Sequence, residues 1–458
     1  MTPVDRTQLP EVGPDPAFTF PTFARHVLAN GLALRTVEHH GAPVVTFVVQ
    51  VEGGAGADPA GKEGLAALTA DMADEGTGGL SALDVSEALA RIGAEYDIDA
   101  GADATVFTLT TLARFAERGA SLLAAMVTRP SHLESDFARV RQLRLDRIRQ
   151  LKDLPPASAE RAFLRVLYDG HPYGHTSIGS DGSLRSLSLA DVAAFHQCAH
   201  RPSSATLVIG GDLSESEMRR VADATFGGWR EPVGLTDGET VPAASIPPPA
   251  VPTTRLAIVN RERAAQSELR IGHLSARRNT PDYPALLVMN AVLGGQFVSR
   301  INLKLREEKG YTYGARTGFD WRRGQAPLVL QASVHTRATA DAVRDSLDEL
   351  AAIRDGRPPT AVELELAKAS LTRGYPRNFE TASQVTRAVA QLALFDLPDR
   401  YFEEFVPNIH GVTAEDVSRV ARTYIDPARL ATVIVGDRAA VGESLLELGL
   451  GEPVILEV

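Results

Sequence analysis

The amino-acid sequence predicts an α+β protein built from two homologous halves, each a mostly antiparallel sheet with helices packed on one face. A capped helix, an apolar strand and a Gly-Asp turn occur twice in this order. Asp191 and Asp416 are 225 positions apart, as are Asp212 and Asp437. The equal offset at both ends of the repeat indicates duplication. Within each half, strands follow one another as hairpins and helices are long, which is typical of an α+β layer.

The elements follow from turn signals and from hydrophobic periodicity. Asn30-Gly31 predicts a hairpin over 26–38. Apolar runs predict strands over 44–51 and 104–112, and helical spacing predicts helices over 60–74, 82–92, 115–128 and 132–151. In the second half, the same signals predict strands over 255–259, 269–273 and 328–335, and helices over 283–293, 339–353 and 361–371.

A proline-rich stretch separates the two halves. Residues 241–252 include Pro247, Pro248 and Pro249 and show little periodicity, which predicts an exposed linker. We therefore expect an N-terminal domain over 1–240 and a C-terminal domain over 253–458.

The composition excludes several classes of protein. The chain has 458 residues and a net charge of −11, which argues against non-specific nucleic-acid binding. Its one cysteine, Cys198, cannot form an internal disulfide. No signal peptide is recognised, and no run of about 18 apolar residues predicts a membrane span. We expect a cytoplasmic protein from the sequence as written, and a periplasmic one if a leader has been removed.

Three motifs occur in order along the chain. The first is the glycine-rich loop Gly53–Gly64, and the second is Tyr168-Asp169-Gly170-His171-Pro172-Tyr173-Gly174. The third runs from Leu293-Gly294-Gly295 to Asn302 and continues from Leu305 to Gly314. With these motifs the sequence resembles the pitrilysin-type metallopeptidases, in the subgroup of mitochondrial processing peptidase and its bacterial relatives. The resemblance covers nearly the whole chain and implies the duplicated metallopeptidase-like α/β roll.

The zinc site of that family is degenerate in this sequence. The segment from Gly64 to Thr77 has the frame of the inverted zinc helix H-x-x-E-H, but its three chemical positions hold Ala67, Ala70 and Asp71. Two imidazoles on one helix face can bind zinc, whereas two alanines and one aspartate cannot. The resemblance places the third ligand, a glutamate, at Arg147, where a cation would repel the metal. We therefore expect no metal and no cofactor in this chain.

An alternative interpretation of this segment is purely structural. Leu65, Leu68 and Met72 then pack a core helix, and Asp71 is solvated. Two histidine pairs elsewhere have a spacing of four. No carboxylate base accompanies His196 and His200, and Pro172 and Gly174 make a helix unlikely at His171 and His175. We expect structural or solvated roles for both pairs, with the second in a turn that packs Tyr173.

A pair of donors is retained in the second half. In the resembled family, an arginine and a tyrosine seven positions apart bind the substrate backbone and stabilise the oxyanion, and here these are Arg306 and Tyr313. We expect Gly310 to end the helix that carries Arg306 and Tyr313 to start the next strand. Gly294 and Gly295 are expected to form a flexible loop beside the substrate. On spacing alone, Arg306 also fits an ordinary solvated helix end.

These observations support a non-zinc-binding subunit of a heterodimeric zinc metalloendopeptidase. A homologous partner with an intact H-x-x-E-H would bring the zinc, and this chain would bring Arg306 and Tyr313. The expected substrate is a peptide or an unfolded polypeptide bound against an edge strand. Two alternatives stay open: a catalytically inert scaffold or peptide-binding homologue, and a stand-alone enzyme with another metal or nucleophile. Homodimerisation is also open, since duplicated halves favour pseudo-symmetric pairing.

Overall fold

The computed structural model describes residues 13, 18–232 and 248–457. Most of the predicted linker, residues 241–247, lies outside the described residues. The linker and the two domain boundaries therefore stay predictions.

The described chain contains fourteen strands and sixteen α-helices. The strands are β1 (Phe23–Val27), β2 (Ala33–Glu38), β3 (Val44–Glu52), β4 (Gly76–Thr77), β5 (Leu80–Ser81), β6 (Glu95–Ala100), β7 (Ala104–Leu112), β8 (Ala205–Gly211), β9 (Leu256–Asn260), β10 (Gln266–Leu274), β11 (Thr312–Phe319), β12 (Pro327–His335), β13 (Ala431–Gly436) and β14 (Val454–Ile455). The helices of the first half are α1 (Leu65–Asp71), α2 (Ala82–Arg91), α3 (Ala116–Thr128), α4 (Glu134–Lys152), α5 (Pro155–Tyr168), α6 (Asp181–Ser186), α7 (Leu189–Ala199) and α8 (Glu215–Phe226). Those of the second half are α9 (Tyr283–Asn290), α10 (Arg300–Asn302), α11 (Thr339–Ala351), α12 (Ala361–Thr372), α13 (Ala382–Leu394), α14 (Tyr401–Gly411), α15 (Ala414–Tyr424) and α16 (Arg438–Leu446).

The strand order of the two large sheets confirms the duplicated α+β fold. The first sheet has the order β1-β2-β8-β3-β7-β6, and the second has the order β11-β12-β10-β13-β9-β14. Without the outer strands β1 and β14, the order β2-β8-β3-β7-β6 matches β9-β13-β10-β12-β11. The pairs β2 with β8 and β9 with β13 are parallel, and the other pairs within these two five-strand units are antiparallel. Each half therefore repeats one topology.

Each sheet is covered on both faces, and the second cover comes from the other half. The helices of each half pack on one face of their own sheet and form its main core. On the opposite face of the first sheet, Val48 and Val208 pack in one cluster with Val389 of α13. On the opposite face of the second sheet, Val433 packs in one cluster with Phe163 of α5. The central strands are apolar on both faces for this reason.

The first helical stretch of the second half is long and mostly buried. By length and composition, the stretch Tyr283–Glu308 is the one candidate for a membrane span among the described residues, with 61% of its apolar window buried inside the protein. Leu286, Met289 and Leu293 in this stretch are fully buried in the second core. This burial is what a core helix requires.

Candidate functional site

The degenerate zinc helix α1 is short and is held at its start by a buried carboxylate. The predicted helix over 60–74 is confirmed only for Leu65–Asp71, because Gly64 has a φ of +97° and begins the helix in a left-handed conformation. Asp58 caps this start from six residues upstream and accepts hydrogen bonds from the backbone N–H groups of Gly64 at 2.6 Å and Ala66 at 2.7 Å. Burial raises the pKa of Asp58 to about 7.

An ion pair lies where the family has its metal ligands. Ala67 and Ala70 are buried, so the first two chemical positions belong to the core. Asp71 lies at the surface, where its carboxylate accepts a hydrogen bond from Arg144 at 2.5 Å. Arg144 also donates to the backbone carbonyl of Ser177 at 3.0 Å. No group of three or more His, Cys, Asp or Glu side chains is placed to hold a metal within the described ranges. The residues present do not fit a zinc ion.

Arg144, which the sequence did not single out, is the cation that pairs with Asp71, and the assignment of Arg147 to the third ligand position stays a prediction. Arg147, the predicted third position, lies one turn later on α4 and donates to Gln150 at 3.2 Å. Asp71 is accordingly paired, and the expectation that it is solvated is only partly right, since 40% of its side chain is exposed. By contrast, the predicted core positions of α1 are all buried: Leu65, Leu68 and Met72.

A cavity of about 490 Å³ opens beside this ion pair. It is lined by Asp71, Arg144 and Arg147 on the helix side and by Tyr96 of the edge strand β6 opposite. Burial and the carboxylates around it raise the pKa of Tyr96. The sequence reasoning missed β6, although the alternation in Glu95–Ala100 is a strand signal of period two.

Arg306 and Tyr313 come from a helix end and from the next strand, as the sequence predicts. The N–H group of Gly310, which has a φ of +63°, donates to the carbonyl of Arg306 at 3.1 Å, and that of Tyr311 donates to Leu305 at 2.9 Å. These bonds end the helical segment and direct the chain into β11. Tyr313 is the second residue of β11, at a shift in the register of its pairing with β12.

Tyr313 is exposed at the surface, and Arg306 is partly exposed. Tyr313 is 86% exposed, at a shift in the register of β11. The guanidinium of Arg306 lies 4.5 Å from the centre of the Phe297 ring and 3.4 Å from the carboxylate of Glu307. Strand β11 is also the edge of its sheet, so its outer backbone groups are unpaired by other strands.

Asn302 holds the parts of this region together and was missed from the sequence. Its side chain is buried, donates to the carbonyl of Phe297 at 2.7 Å and accepts from the N–H group of Ala315 at 3.1 Å. The Asn302 side chain therefore joins Phe297 to β11, the strand of Tyr313. Phe297 precedes the helical segment Leu303–Glu308 that carries Arg306. The Asn-x-x-x-Arg spacing gave no recognisable signal for this role.

The two glycines of the third motif are not a flexible loop. Ala291–Gly295 continue α9 as a π-helical segment. A Cβ atom on Gly294 would lie 2.5 Å from the hydroxyl of Thr317, and one on Gly295 would lie 2.6 Å from the side-chain nitrogen of Asn290. The expectation of a loop is wrong because both glycines lie in this helical segment, where Gly294 packs closely against β11 and Gly295 against Asn290 of α9. Their predicted contact with substrate stays a prediction.

The other histidine candidates have structural roles. His196 and His200 both hydrogen-bond the carbonyl of Val127, at 2.9 and 3.2 Å. Burial lowers the pKa of His196 to about 4 and that of His200 well below its usual value. Tyr173 is buried in the predicted turn and donates its hydroxyl to Asp103.

Comparison with known proteins agrees with the fold and with the degenerate site. The family model described as Insulinase (Peptidase family M16) matches residues 35–181, and the model described as Peptidase M16 inactive domain matches residues 186–371.

Two relatives and one solved structure illustrate the range of similar proteins. An uncharacterized zinc protease of Mycobacterium tuberculosis is 26% identical over 359 residues, which are 77% of this chain and 80% of that protein. A probable inactive metalloprotease of Bacillus subtilis is 22% identical over 310 residues, 66% of this chain and 69% of that protein. The crystal structure of a peptidase M16 inactive domain from Pseudomonas fluorescens has a TM-score of 0.83 at 24% identity and covers 91% of this chain and 98% of that chain.

Proposed function

Because the chain belongs to the M16 family of insulinase- and pitrilysin-like peptidases, we propose that it is the non-zinc-binding subunit of a heterodimeric zinc metalloendopeptidase. One observation carries the proposal. The Asp71–Arg144 ion pair lies at the place of the metal ligands, whereas the Arg306 side chain is 36% exposed and Tyr313 is exposed at the edge of β11. The match to an inactive-domain model and the similarity to a probable inactive metalloprotease support the same division of roles.

In the proposed complex, a homologous partner with an intact H-x-x-E-H binds the zinc, which supplies an activated water. Arg306 contributes a permanent cation with several N–H donors, and Tyr313 contributes one directional O–H donor. Both are suited to the negative charge that develops on the carbonyl oxygen of a peptide during hydrolysis. Phe297 and Asn302 keep these donors in place through the contacts described above.

The proposed substrate is a peptide or an unfolded polypeptide segment in extended form. The free edge of β11 offers backbone groups to such a segment, and Tyr313 lies on this edge. Gly294 packs directly behind the strand at Thr317, so it supports the edge from within. Backbone pairing of this kind tolerates varied side chains, and it predicts a broad cleavage preference.

The test requires the chain alone and mixed with a homologous chain that carries H-x-x-E-H. Zinc content and cleavage of a quenched fluorescent peptide are measured for each. We expect neither metal nor turnover in the lone chain, and turnover in the mixture. In that mixture, Arg306→Ala and Tyr313→Phe in this chain should each lower kcat/KM by roughly ten- to a thousand-fold, as the loss of an oxyanion donor does.

Two matched controls come from the same strand region. Arg316→Ala removes an exposed arginine of β11, and Tyr311→Phe removes a neighbouring hydroxyl, so both should leave turnover unchanged. A lone chain that binds zinc and cleaves the peptide contradicts the proposal. An active mixture that is indifferent to Arg306→Ala and Tyr313→Phe establishes the inert-scaffold alternative instead.

A further inference from the structure

A short turn at Phe297 and Val298 carries two exposed apolar side chains beside the donor pair. Phe297 is 61% exposed and Val298 is 47% exposed, whereas Gly294 before the turn and Ser299 after it are buried. Single exposed apolar residues are common on protein surfaces, but contiguous large ones mark binding surfaces. The Phe297 ring also lies 4.5 Å from the guanidinium of Arg306. The exposed turn therefore adjoins one of the two proposed donors.

Hydrogen bonds on the C-terminal side fix this turn. The carbonyl of Phe297 accepts from the buried side chain of Asn302 at 2.7 Å. The buried guanidinium of Arg300 donates to the carboxylate of Glu363 at 2.6 Å and to the carbonyl of Arg357 at 2.7 Å. An apolar surface that is already held in place binds a ligand with a smaller loss of conformational entropy.

The turn also lies between two π-helical segments. Ala291–Gly295 precede it, and Leu303–Glu308 follow it and carry Arg306. Segments of π-helix are rare in proteins and occur frequently at functional sites. Their position on both sides of the turn favours a role in binding over a purely structural one.

A peptide that is bound by Arg306 lies next to this turn. In the proposed function, Arg306 donates to a peptide carbonyl oxygen, which then lies about 3 Å from one of its nitrogens. The side chains that flank this peptide bond branch from the Cα atoms on either side of it. Because the Phe297 ring is 4.5 Å from the guanidinium, one of these side chains comes within contact distance of the ring.

The contact between Phe297 and Arg306 favours the substrate over a second protein as the occupant of the turn. A protein surface that covered the ring would also cover the neighbouring guanidinium and keep a peptide away from it. A charged side chain suits the turn poorly, since Arg306 repels a cation and any charge loses water against Phe297 and Val298. The occupant that fits is a large apolar side chain of the peptide.

We propose that Phe297 and Val298 form an apolar subsite, which selects a large apolar side chain of the substrate beside the peptide bond held by Arg306. The proposal rests on the proposed function and deepens it, because it adds one side-chain preference to an otherwise broad range of extended peptides. Phe297 is then a specificity-determining residue as well as a support for Arg306.

Cleavage of a peptide series by the mixture of this chain and its zinc-binding homologue tests the preference. The quenched fluorescent peptides differ only at one of the two residues that flank the cleaved bond, where they carry phenylalanine, leucine, alanine or lysine. At one of these positions, we expect kcat/KM for phenylalanine or leucine to exceed that for alanine about ten-fold, as for an apolar side chain in an apolar subsite. Lysine should be cleaved no faster than alanine.

Ratios of kcat/KM separate recognition from the support that Phe297 gives to Arg306. Phe297→Ala should slow the cleavage of every peptide and also lower the preference over alanine to about two-fold. Phe297→Leu keeps an apolar surface but loses the aromatic face against Arg306, so it should slow cleavage and retain most of the preference. Leu83→Ala removes an exposed apolar side chain of α2 and should change neither rate nor preference. An unchanged preference in Phe297→Ala, or no preference in the parent mixture, overturns the proposal.

Photo-crosslinking tests the subsite without turnover. Phe297 is replaced by p-benzoylphenylalanine in the full chain, alone and in the mixture with EDTA, and mass spectrometry identifies the attached residue. We expect attachment at the phenylalanine of the peptide and much less attachment of the alanine peptide. If the mixture cleaves no peptide, the proposed function fails, whereas attachment at the phenylalanine still supports the subsite. Attachment to the homologous chain instead of the peptide, or no attachment, overturns the proposal.

Discussion

Replacing Arg144 with methionine tests whether an ion pair has taken the place of the metal site. Methionine keeps an apolar stem of similar length but removes the guanidinium. The variant therefore loses the bond to Asp71 at 2.5 Å and the bond to the Ser177 carbonyl at 3.0 Å. Only 13% of the Arg144 side chain is exposed, so water cannot fully replace these partners.

The magnitude follows from three terms. A hydrogen bond to a charged group contributes about 1.5–3 kcal/mol, but the 40% exposure of the Asp71 side chain screens this one to about 1 kcal/mol. The bond to the Ser177 carbonyl adds about 1 kcal/mol. The Nε of Arg144 is buried without a partner, and its removal returns part of that sum. We expect the free energy of unfolding to fall by about 1–2 kcal/mol.

Urea unfolding of a double-mutant cycle measures this directly. The cycle combines Arg144→Met with Asp71→Asn, and we expect a coupling energy of about 0.5–1 kcal/mol. Arg147→Met is the matched control, because that arginine is exposed and hydrogen-bonds Gln150 rather than Asp71, and it should change stability by less than about 0.5 kcal/mol. Zinc content, measured in parallel, should stay negligible in every variant. A coupling energy of zero, or a larger effect at Arg147 than at Arg144, would refute the reasoning.

Three further predictions concern packing and pH. Gly294→Ala should lower the free energy of unfolding by about 1–3 kcal/mol, because the added Cβ would collide with Thr317. Gly318→Ala is the control and should change it very little, because a Cβ there meets no atom within 4 Å. Chemical denaturation of both variants measures the difference. Gly210→Ala should push α13 off the first sheet, and adding Thr386→Ala should restore part of the lost melting temperature, because the added Cβ would lie 2.2 Å from that threonine's hydroxyl. The folded pKa of His196 is below its unfolded value, so its contribution is present above pH 6.5 and lost as the pH falls toward 4. Between pH 7 and 5 the parent protein should lose roughly 2 kcal/mol more than His196→Gln, measured as the difference of their unfolding curves, which cancels titrating groups that do not interact with His196.

The sequence predicted the strands and hairpins best, because their signals are local. The Asn30-Gly31 turn and the apolar run at Val44 need no knowledge of distant residues, and the structure places β1, β2 and β3 accordingly. Helices α5 and α13 were not predicted, although each covers a sheet face of the other half. Their positions depend on contacts between the halves, which a pattern along one segment does not reveal.

In the candidate site, too, the sequence predicted the features that have local signals and missed those that depend on distant contacts. Alignment by spacing located the degenerate helix and the Arg306–Tyr313 pair, since these positions follow from the chain's own motifs. It did not find Arg144, because spacing does not show which long side chain reaches Asp71. It missed Asn302 because a buried amide that bridges two segments has no local signature.

The residues at the zinc-ligand positions stabilise the fold of this chain, whereas the exposed donor Tyr313 does not. Ala67 is buried, Ala70 packs in the first core, and Asp71 is bound by Arg144, so each contributes to the fold of this chain. Tyr313 differs, since this residue is 86% exposed on an edge strand and packs in no core cluster of the described residues. A large exposed aromatic side chain beside an unpaired strand edge is a liability for solubility. Folding of the isolated chain gives no reason for a tyrosine at this position, whereas a substrate or partner that covers the edge of β11 does.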